Sequence, residues 1–296
     1  LTNTDGGMRF LDPAMNLPAL IKEIGRGAKG ARSLSADEAE LLFTAMLQGA
    51  VPDLELGAIL LALRIKGESD DELIGFCKAM QCTTHTLQVS NGQPIVILPT
   101  YNGVRRQPNL LPLLTKRLTD AGLKVLVHGR HDFDHRENPF PLFKALGIHL
   151  SESVDQAQIQ LDETGIALLD IEQLNPGLNA LLNLRGRLGV RNTAHTLCKL
   201  LDPCPKHSIR VVNVTHPEYL IRMTALLTAQ GARAMLLRGT EGEAFANPRR
   251  RPELMGFKNG VAEVLFPAED GGTPPITGWP ENADFDENVG LIHQLL

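Results

Sequence analysis

The feature that most constrains this chain is a change of texture near Asn91-Gly92. Before it, apolar residues recur at helical spacing. After it come short, largely apolar runs separated by helical stretches: Ile95 to Leu98, Lys124 to Val127, Ile166 to Leu169, Ile209 to Val214 and Ala234 to Leu237. A strand that is apolar throughout, rather than at alternate positions, is buried on both faces. That occurs when helices cover both sides of a mostly parallel sheet. The intervening stretches Leu110 to Leu118 and Pro217 to Gln230 have the helical pattern required. Sheets of this kind hold ligands at the carboxyl ends of their strands. The segments after Leu98, Val127 and Leu237 are therefore where chemistry is expected.

The first 88 residues read as helices only. Ser35, with Glu38 three residues on, is spaced as a capping box and opens a helix that stops at Gly49. Asp53 opens a second, running through Ile59 and Leu63 to Gly67, and Ser69 a third, ending near Cys82. Residues 89–296 form the α/β part. Within it the segment from Glu269 to Pro280, rich in Gly and Pro, reads as a loop with one short helical stretch beyond.

The chain has 296 residues, 43% of them hydrophobic and 21% charged, which excludes a wholly disordered polymer. Its longest apolar runs are too short to span a bilayer. No charged segment followed by an apolar one opens the sequence, so no secretory signal is expected. Cys77, Cys82, Cys198 and Cys204 lack the spacing of a zinc site or a disulfide framework, and free thiols in a cytoplasmic protein are expected. His128, His195 and His216, the histidines of the recurring motifs, do not pair at metal-ligand spacing, and no metal site is expected.

The formal net charge of −5 is unevenly spread. Residues 99–136 carry seven Lys/Arg against three Asp/Glu, residues 185–210 six against one, and residues 231–258 six against three. Local charge governs anion binding more than the total does. In the second segment Arg185, Arg187, Arg191 and Lys199 predominate, with Arg187 and Arg191 at the i, i+4 spacing of one helix face. In the third, Arg249-Arg250-Arg251 lie between two prolines on a loop. Arg105 and Arg106 follow the first strand, where ligands gather. Solvated surface is the plain alternative for all of them. With one Trp and two Tyr, base stacking is a poor source of affinity, so any nucleic acid would be held by its phosphates.

Several motifs are collinear with one family. Leu63-Arg64-Ile65-Lys66-Gly67-Glu68, Val127-His128-Gly129, Leu184 to Pro203, His216-Pro217 and Arg238 to Gly242 resemble segments of the anthranilate phosphoribosyltransferase and nucleoside phosphorylase group, over about Leu20 to Phe266. The resemblance implies a small N-terminal helical bundle domain, joined by helices from about residues 175–200. It also implies a large α/β domain of the class III phosphoribosyltransferase type, and a further C-terminal helix beyond those present. It places a remnant phosphosugar site at Asn102, Gly103, His128, Gly129 and Glu243, and matches Arg185 and Arg191 to arginines that contact an aromatic acid.

The reactive motifs depart from that family. Its glycine-rich diphosphate loop reads Pro99-Thr100-Tyr101-Asn102-Gly103 here, with Tyr101 expected to obstruct a phosphate. Its adjacent metal-holding carboxylates become Glu243-Ala244, which leaves a magnesium site doubtful. In this the chain is closer to a nucleic-acid-binding branch of the same fold, through Gly189 to Leu200, Thr215 to Leu220 and Gly239 to Pro248. That branch implies a homodimer, paired through the helical domain, binding DNA or RNA with little sequence preference in a basic groove. On this reading there are no catalytic residues, no cofactor and no membrane partner. The alternative is a glycosyltransferase acting on a phosphoribosyl or related phosphosugar with magnesium, supported by His128, Gly129 and Arg191.

Overall fold

The helices begin where local chemistry lets them. In a computed structural model describing residues 15–27, 29–89, 92–130, 136–280 and 284–296, four helices open the chain: α1 (Leu17–Ile24), α2 (Ala36–Leu47), α3 (Asp53–Lys66) and α4 (Asp70–Thr83). Asn91, where the sequence changes texture, lies outside the described residues. The capping box that opens α2 is complete: Glu38 N donates to Ser35 Oγ at 3.3 Å, and Ser35 N donates to Glu38 Oε2 at 2.9 Å. Gly67, at φ +78°, ends α3. Helix α1, capped by Asn16, is an element the sequence patterning did not reveal.

The chain divides into two compact units, Leu1–Thr83 with Asn175–Leu197, and Thr84–Leu174 with Cys198–Leu296. In the helical unit α2 and α4 lie in intimate contact. A Cβ on Gly75 would sit 2.2 Å from Ala36 O and 2.8 Å from Ala39 Cβ, and the Phe43 and Phe76 rings meet at 4.9 Å. Glu72 is buried beneath them. It accepts hydrogen bonds from Lys66 Nζ at 2.6 Å, Ser69 N at 2.7 Å and Leu34 N at 3.0 Å, so its charge is both paired and solvated by donors. The helices Pro176–Asn183, Arg185–Leu188 and Ala194–Leu197 complete this unit.

The second unit is built on a seven-stranded sheet: β1 (Ile95–Thr100), β2 (Lys124–Gly129), β3 (Ile166–Asp170), β4 (Ser208–Val214), β5 (Ala234–Arg238), β6 (Leu254–Lys258) and β7 (Val261–Phe266). Its order is β3-β2-β1-β4-β5-β6-β7, with β1 to β5 parallel and the last two antiparallel. Every residue of β1 is buried, as its unbroken apolar run requires. Helix α5 (Leu111–Asp120) follows β1 and contributes Leu111 to a core of Val96, Leu98, Val125, Val127, Phe140 and Phe143. The β6–β7 hairpin is the other element the apolar runs missed. It turns at Asn259-Gly260, both at positive φ (+52° and +78°), the dipeptide that two-residue hairpins favour.

The strand order reverses at β1. From β1 the chain builds outward to β2 and β3, then returns to the opposite side with β4. Such a reversal opens a crevice above the carboxyl ends of the two strands flanking it, here β1 and β4.

Because Gly75 meets backbone rather than a flexible side chain, Gly75→Ala will force α2 and α4 apart. The gain of about 1 kcal/mol in helix propensity is outweighed, and the net loss will be about 1–2 kcal/mol by urea denaturation. A variant as stable as the parent would contradict this packing.

Candidate anion site at the carboxyl edge of the sheet

Strand β1 ends at Thr100, and the loop after it is held from below by one carboxylate. Glu243, on the connection between β5 and β6, is fully buried. Its Oε2 accepts from Thr100 Oγ1 at 2.6 Å, and its Oε1 from Asn102 N at 3.0 Å and Gly103 N at 2.9 Å. Burial raises the Glu243 pKa, an effect opposed by these donors and by the nearby Lys199 ammonium. Lys199 Nζ donates to Asn213 Oδ1 and to Gly242 O, each at 3.0 Å.

A second carboxylate reaches the same loop. Glu241 adopts φ +50°, a left-handed conformation uncommon for a side-chain-bearing residue. Its carboxylate accepts from Arg106 N at 2.9 Å and from Arg105 N at 3.2 and 3.3 Å. Four backbone N–H groups of the loop after β1 therefore point at the chain's own carboxylates. The approach is close because of glycine: a Cβ on Gly242 would fall 1.7 Å from Asn102 Nδ2, and one on Gly239 2.1 Å from Glu243 O.

Tyr101 follows Thr100 in this loop. Its hydroxyl lies 2.7 Å from His128 Nδ1, and burial keeps the phenol pKa well above its usual value. His128 is fully enclosed and its Nε2 has no hydrogen-bond partner among the described residues. The buried Asn213 Nδ2 and Thr240 Oγ1 share that condition. Gly129, the next residue on β2, is there for closeness, since a Cβ would lie 2.0 Å from Thr100 O.

Around this edge stand arginines. Arg105 and Arg106 are exposed. Arg136 Nη1 donates to Gly103 O at 3.2 Å, Arg238 Nε to Thr215 O at 3.2 Å, and Arg130 N to Thr100 O at 3.3 Å. Arg130, Arg136, Arg238 and Glu241 were not singled out from the sequence. The signal available for Glu241 was a second acid two residues from Glu243 within a Gly-x-x-Gly turn.

Arg185, Arg187 and Arg191 belong to the helical unit and Lys199 to the sheet unit. Arg187 and Arg191 do not share a helix face, because the helix ends at Leu188 and Gly189 turns left-handed at φ +71°. Arg187 instead pairs with Asp53 at 3.3 Å. In the 249–251 run, Arg251 pairs with Glu269 at 3.2 Å and lies over the Phe266 ring, and Arg250 donates to Gly271 O. That run braces the loop beyond β7. His216 precedes the helix Glu218–Ala229, and its carbonyl accepts from Tyr219 N at 3.1 Å.

The site does not fit a magnesium–diphosphate centre held by adjacent carboxylates. Both Glu243 oxygens are taken by Thr100, Asn102 and Gly103, and its neighbour is Ala244. Among the described residues no group of three or more His, Cys, Asp or Glu is arranged to hold a metal. The Cys204 thiol, pushed up to about 12 by burial and by Asp202, is no nucleophile at neutral pH.

Burial lowers the His128 pKa from 6.5 to about 3. As pH falls from 6.5 towards 3, the unfolded chain therefore takes up a proton that the folded chain refuses, and stability is lost. Between pH 6 and 4 the wild type will lose about 2 kcal/mol more than His128→Gln in denaturant titrations, since each tenfold difference in proton affinity between folded and unfolded chain is worth about 1.4 kcal/mol. Parallel pH profiles would contradict a neutral buried imidazole.

Comparison with known proteins agrees with the architecture. A family model described as "Glycosyl transferase family, helical bundle domain" matches residues 18–83. The Escherichia coli K12 protein YbiB, described as uncharacterized, is 42% identical over 258 residues, or 86% of this chain and 81% of YbiB. The anthranilate phosphoribosyltransferase of Synechococcus elongatus is 30% identical over 269 residues, or 89% of this chain and 77% of the enzyme. The crystal structure of anthranilate phosphoribosyltransferase from Thermus thermophilus has the same fold. Its TM-score is 0.73 at 23% identity, over 94% of this chain and 82% of that one. With its helical bundle, its mostly parallel seven-stranded sheet and relatives along most of its length, this chain belongs to the anthranilate phosphoribosyltransferase-like family.

Proposed function

We propose that the chain uses this scaffold to bind nucleic acid by its phosphate backbone, without transferring a sugar. The observation behind this reading is the division of labour at the sheet edge. The amides that would line a buried diphosphate site are taken by Glu241 and Glu243, whereas Arg105 and Arg106 face solvent on the same loop. Guanidinium groups at a rim suit an extended polyanion that passes across it, and they read charge rather than base sequence. Pairing of two copies through the helical unit belongs to the same proposal, since a two-fold assembly doubles the phosphate contacts. Arg185, Arg187, Arg191 and Arg249 to Arg251 are secondary candidates for those contacts.

A second reading, glycosyl transfer on a phosphoribosyl or related phosphosugar, has the comparisons on its side. The named relatives with a printed activity are anthranilate phosphoribosyltransferases, and the Saccharomyces cerevisiae enzyme is described in complex with PRPP and Mg. For this chain to do the same, a diphosphate would have to displace both glutamates from the loop amides.

Fluorescence anisotropy with labelled oligonucleotides at several salt concentrations separates the readings. Nucleic-acid binding will weaken steeply with salt. Arg105→Ala/Arg106→Ala will lose about tenfold in affinity and reduce the log–log salt slope by about 2, as expected for two lost phosphate contacts. No binding at low salt, together with product formation from a phosphoribosyl donor and anthranilate, would replace the first reading with the second.

A further inference from the structure

The two glutamates on the loop after β1 are held differently. Glu243 is fully buried and fixed by one hydroxyl and two amides, all in the interior. Glu241 is only half-buried, sits in a left-handed conformation, and accepts from the consecutive amides of Arg105 and Arg106. Consecutive backbone N–H groups converging on one point make a concavity for an oxyanion. Here the oxyanion is a side chain of the same molecule, next to two exposed guanidinium groups. A phosphate oxygen carries the same charge and accepts in the same geometry, and a second anion beside Glu241 would be repelled by it.

We propose that Glu241 is a resident competitor: the Arg105–Arg106 amide pair is a phosphate site, and Glu241 occupies it until a phosphate oxyanion displaces the carboxylate. The proposal rests on the reading that this edge meets phosphates. It adds that the chain holds its own affinity down. The shared chemistry is a phosphate oxyanion, whether from a nucleic-acid backbone or from a free diphosphate. Glu243 is no part of the exchange, since its carboxylate ties the loop to the sheet from within.

The test is calorimetric titration of the whole chain with inorganic pyrophosphate, comparing wild type with Glu241→Gly and Glu241→Gln. Glycine suits φ +50°, so the first variant keeps the backbone. Glutamine keeps an acceptor for the amides and removes only the charge, which guards against misfolding of the first. Both variants will bind pyrophosphate about tenfold more tightly or better, since a displaced competitor is worth that much when charge-assisted hydrogen bonds are exchanged. Arg105→Ala/Arg106→Ala, which keeps both backbone amides and removes only the guanidinium groups, will weaken pyrophosphate binding in every background and leave the gain in place. Equal affinity in wild type and variants, or weaker binding in the variants, would each overturn the proposal.

The same variants titrated with oligonucleotide separate this proposal from the functional reading. Tighter pyrophosphate binding without any oligonucleotide binding leaves the competitor in place and removes the nucleic-acid reading. Salt-sensitive oligonucleotide binding with unchanged pyrophosphate affinity does the reverse.

Discussion

The carboxyl edge of this sheet depends on the buried carboxylate of Glu243. A carboxylate with no exposure persists inside a protein only when its oxygens are supplied with donors, and Thr100, Asn102 and Gly103 supply them. The arrangement ties the end of β1 to the connection after β5, on either side of the point where strand order reverses. Its surroundings follow from it. Gly239 and Gly242 permit the approach, Lys199 balances the charge from the Asn213 side, and Gly103 turns at φ +62° beneath it. Of the family's glycines in this loop, Gly103 remains where the backbone conformation requires one.

That constraint has an electrostatic consequence. With Glu243 and Glu241 occupying four amides, the donors that this loop leaves facing solvent are the guanidinium groups of Arg105 and Arg106. Amides in a closed cradle select a compact ligand by shape, whereas arginines at a rim attract any phosphate chain and are screened by salt. The fold is the same in either case. A site lined by glycine, where a ligand's phosphate can come close to backbone, is also a site where a side chain from the next loop can come close. The substitution of ligand by carboxylate needs no new architecture, only an acid at positions 241 and 243 with the reach to meet the amides.

How much of this was legible in the sequence varied by element. Strands β1 to β5 were, because burial on both faces leaves an unbroken apolar run. Strand β7 was not, although Val261, Ala262, Val264, Leu265 and Phe266 make it largely apolar: all six of its residues are exposed, so its run does not mark burial on two faces. Its turn was marked nonetheless, by Asn259-Gly260. The face assigned to Arg187 and Arg191 failed because Gly189 stops the helix between them, a stop that the sequence displays. At the site, Glu243 stood out as a surviving acid, but two of its three partners are backbone amides. Every residue except proline carries one, so no residue type announces that it has been enlisted.

Tyr101, the bulky residue of the same loop, has a partner that the sequence does not announce. A bulky residue in place of glycine suggests a plug, and from the sequence alone that is the economical inference. In the structure the ring finds a partner in His128, whose enclosure in turn keeps the imidazole neutral and the phenol protonated. The position of the plug is therefore set by charge, not by bulk. A carboxylate satisfies converging N–H groups that an aromatic ring would leave unpaired, and unpaired buried donors cost more than a left-handed residue does. Asn102 and Gly103 are the buried donors, so Glu243 holds the connection after β5 to the loop after β1, and Glu241, at φ +50°, meets the exposed amides beside them.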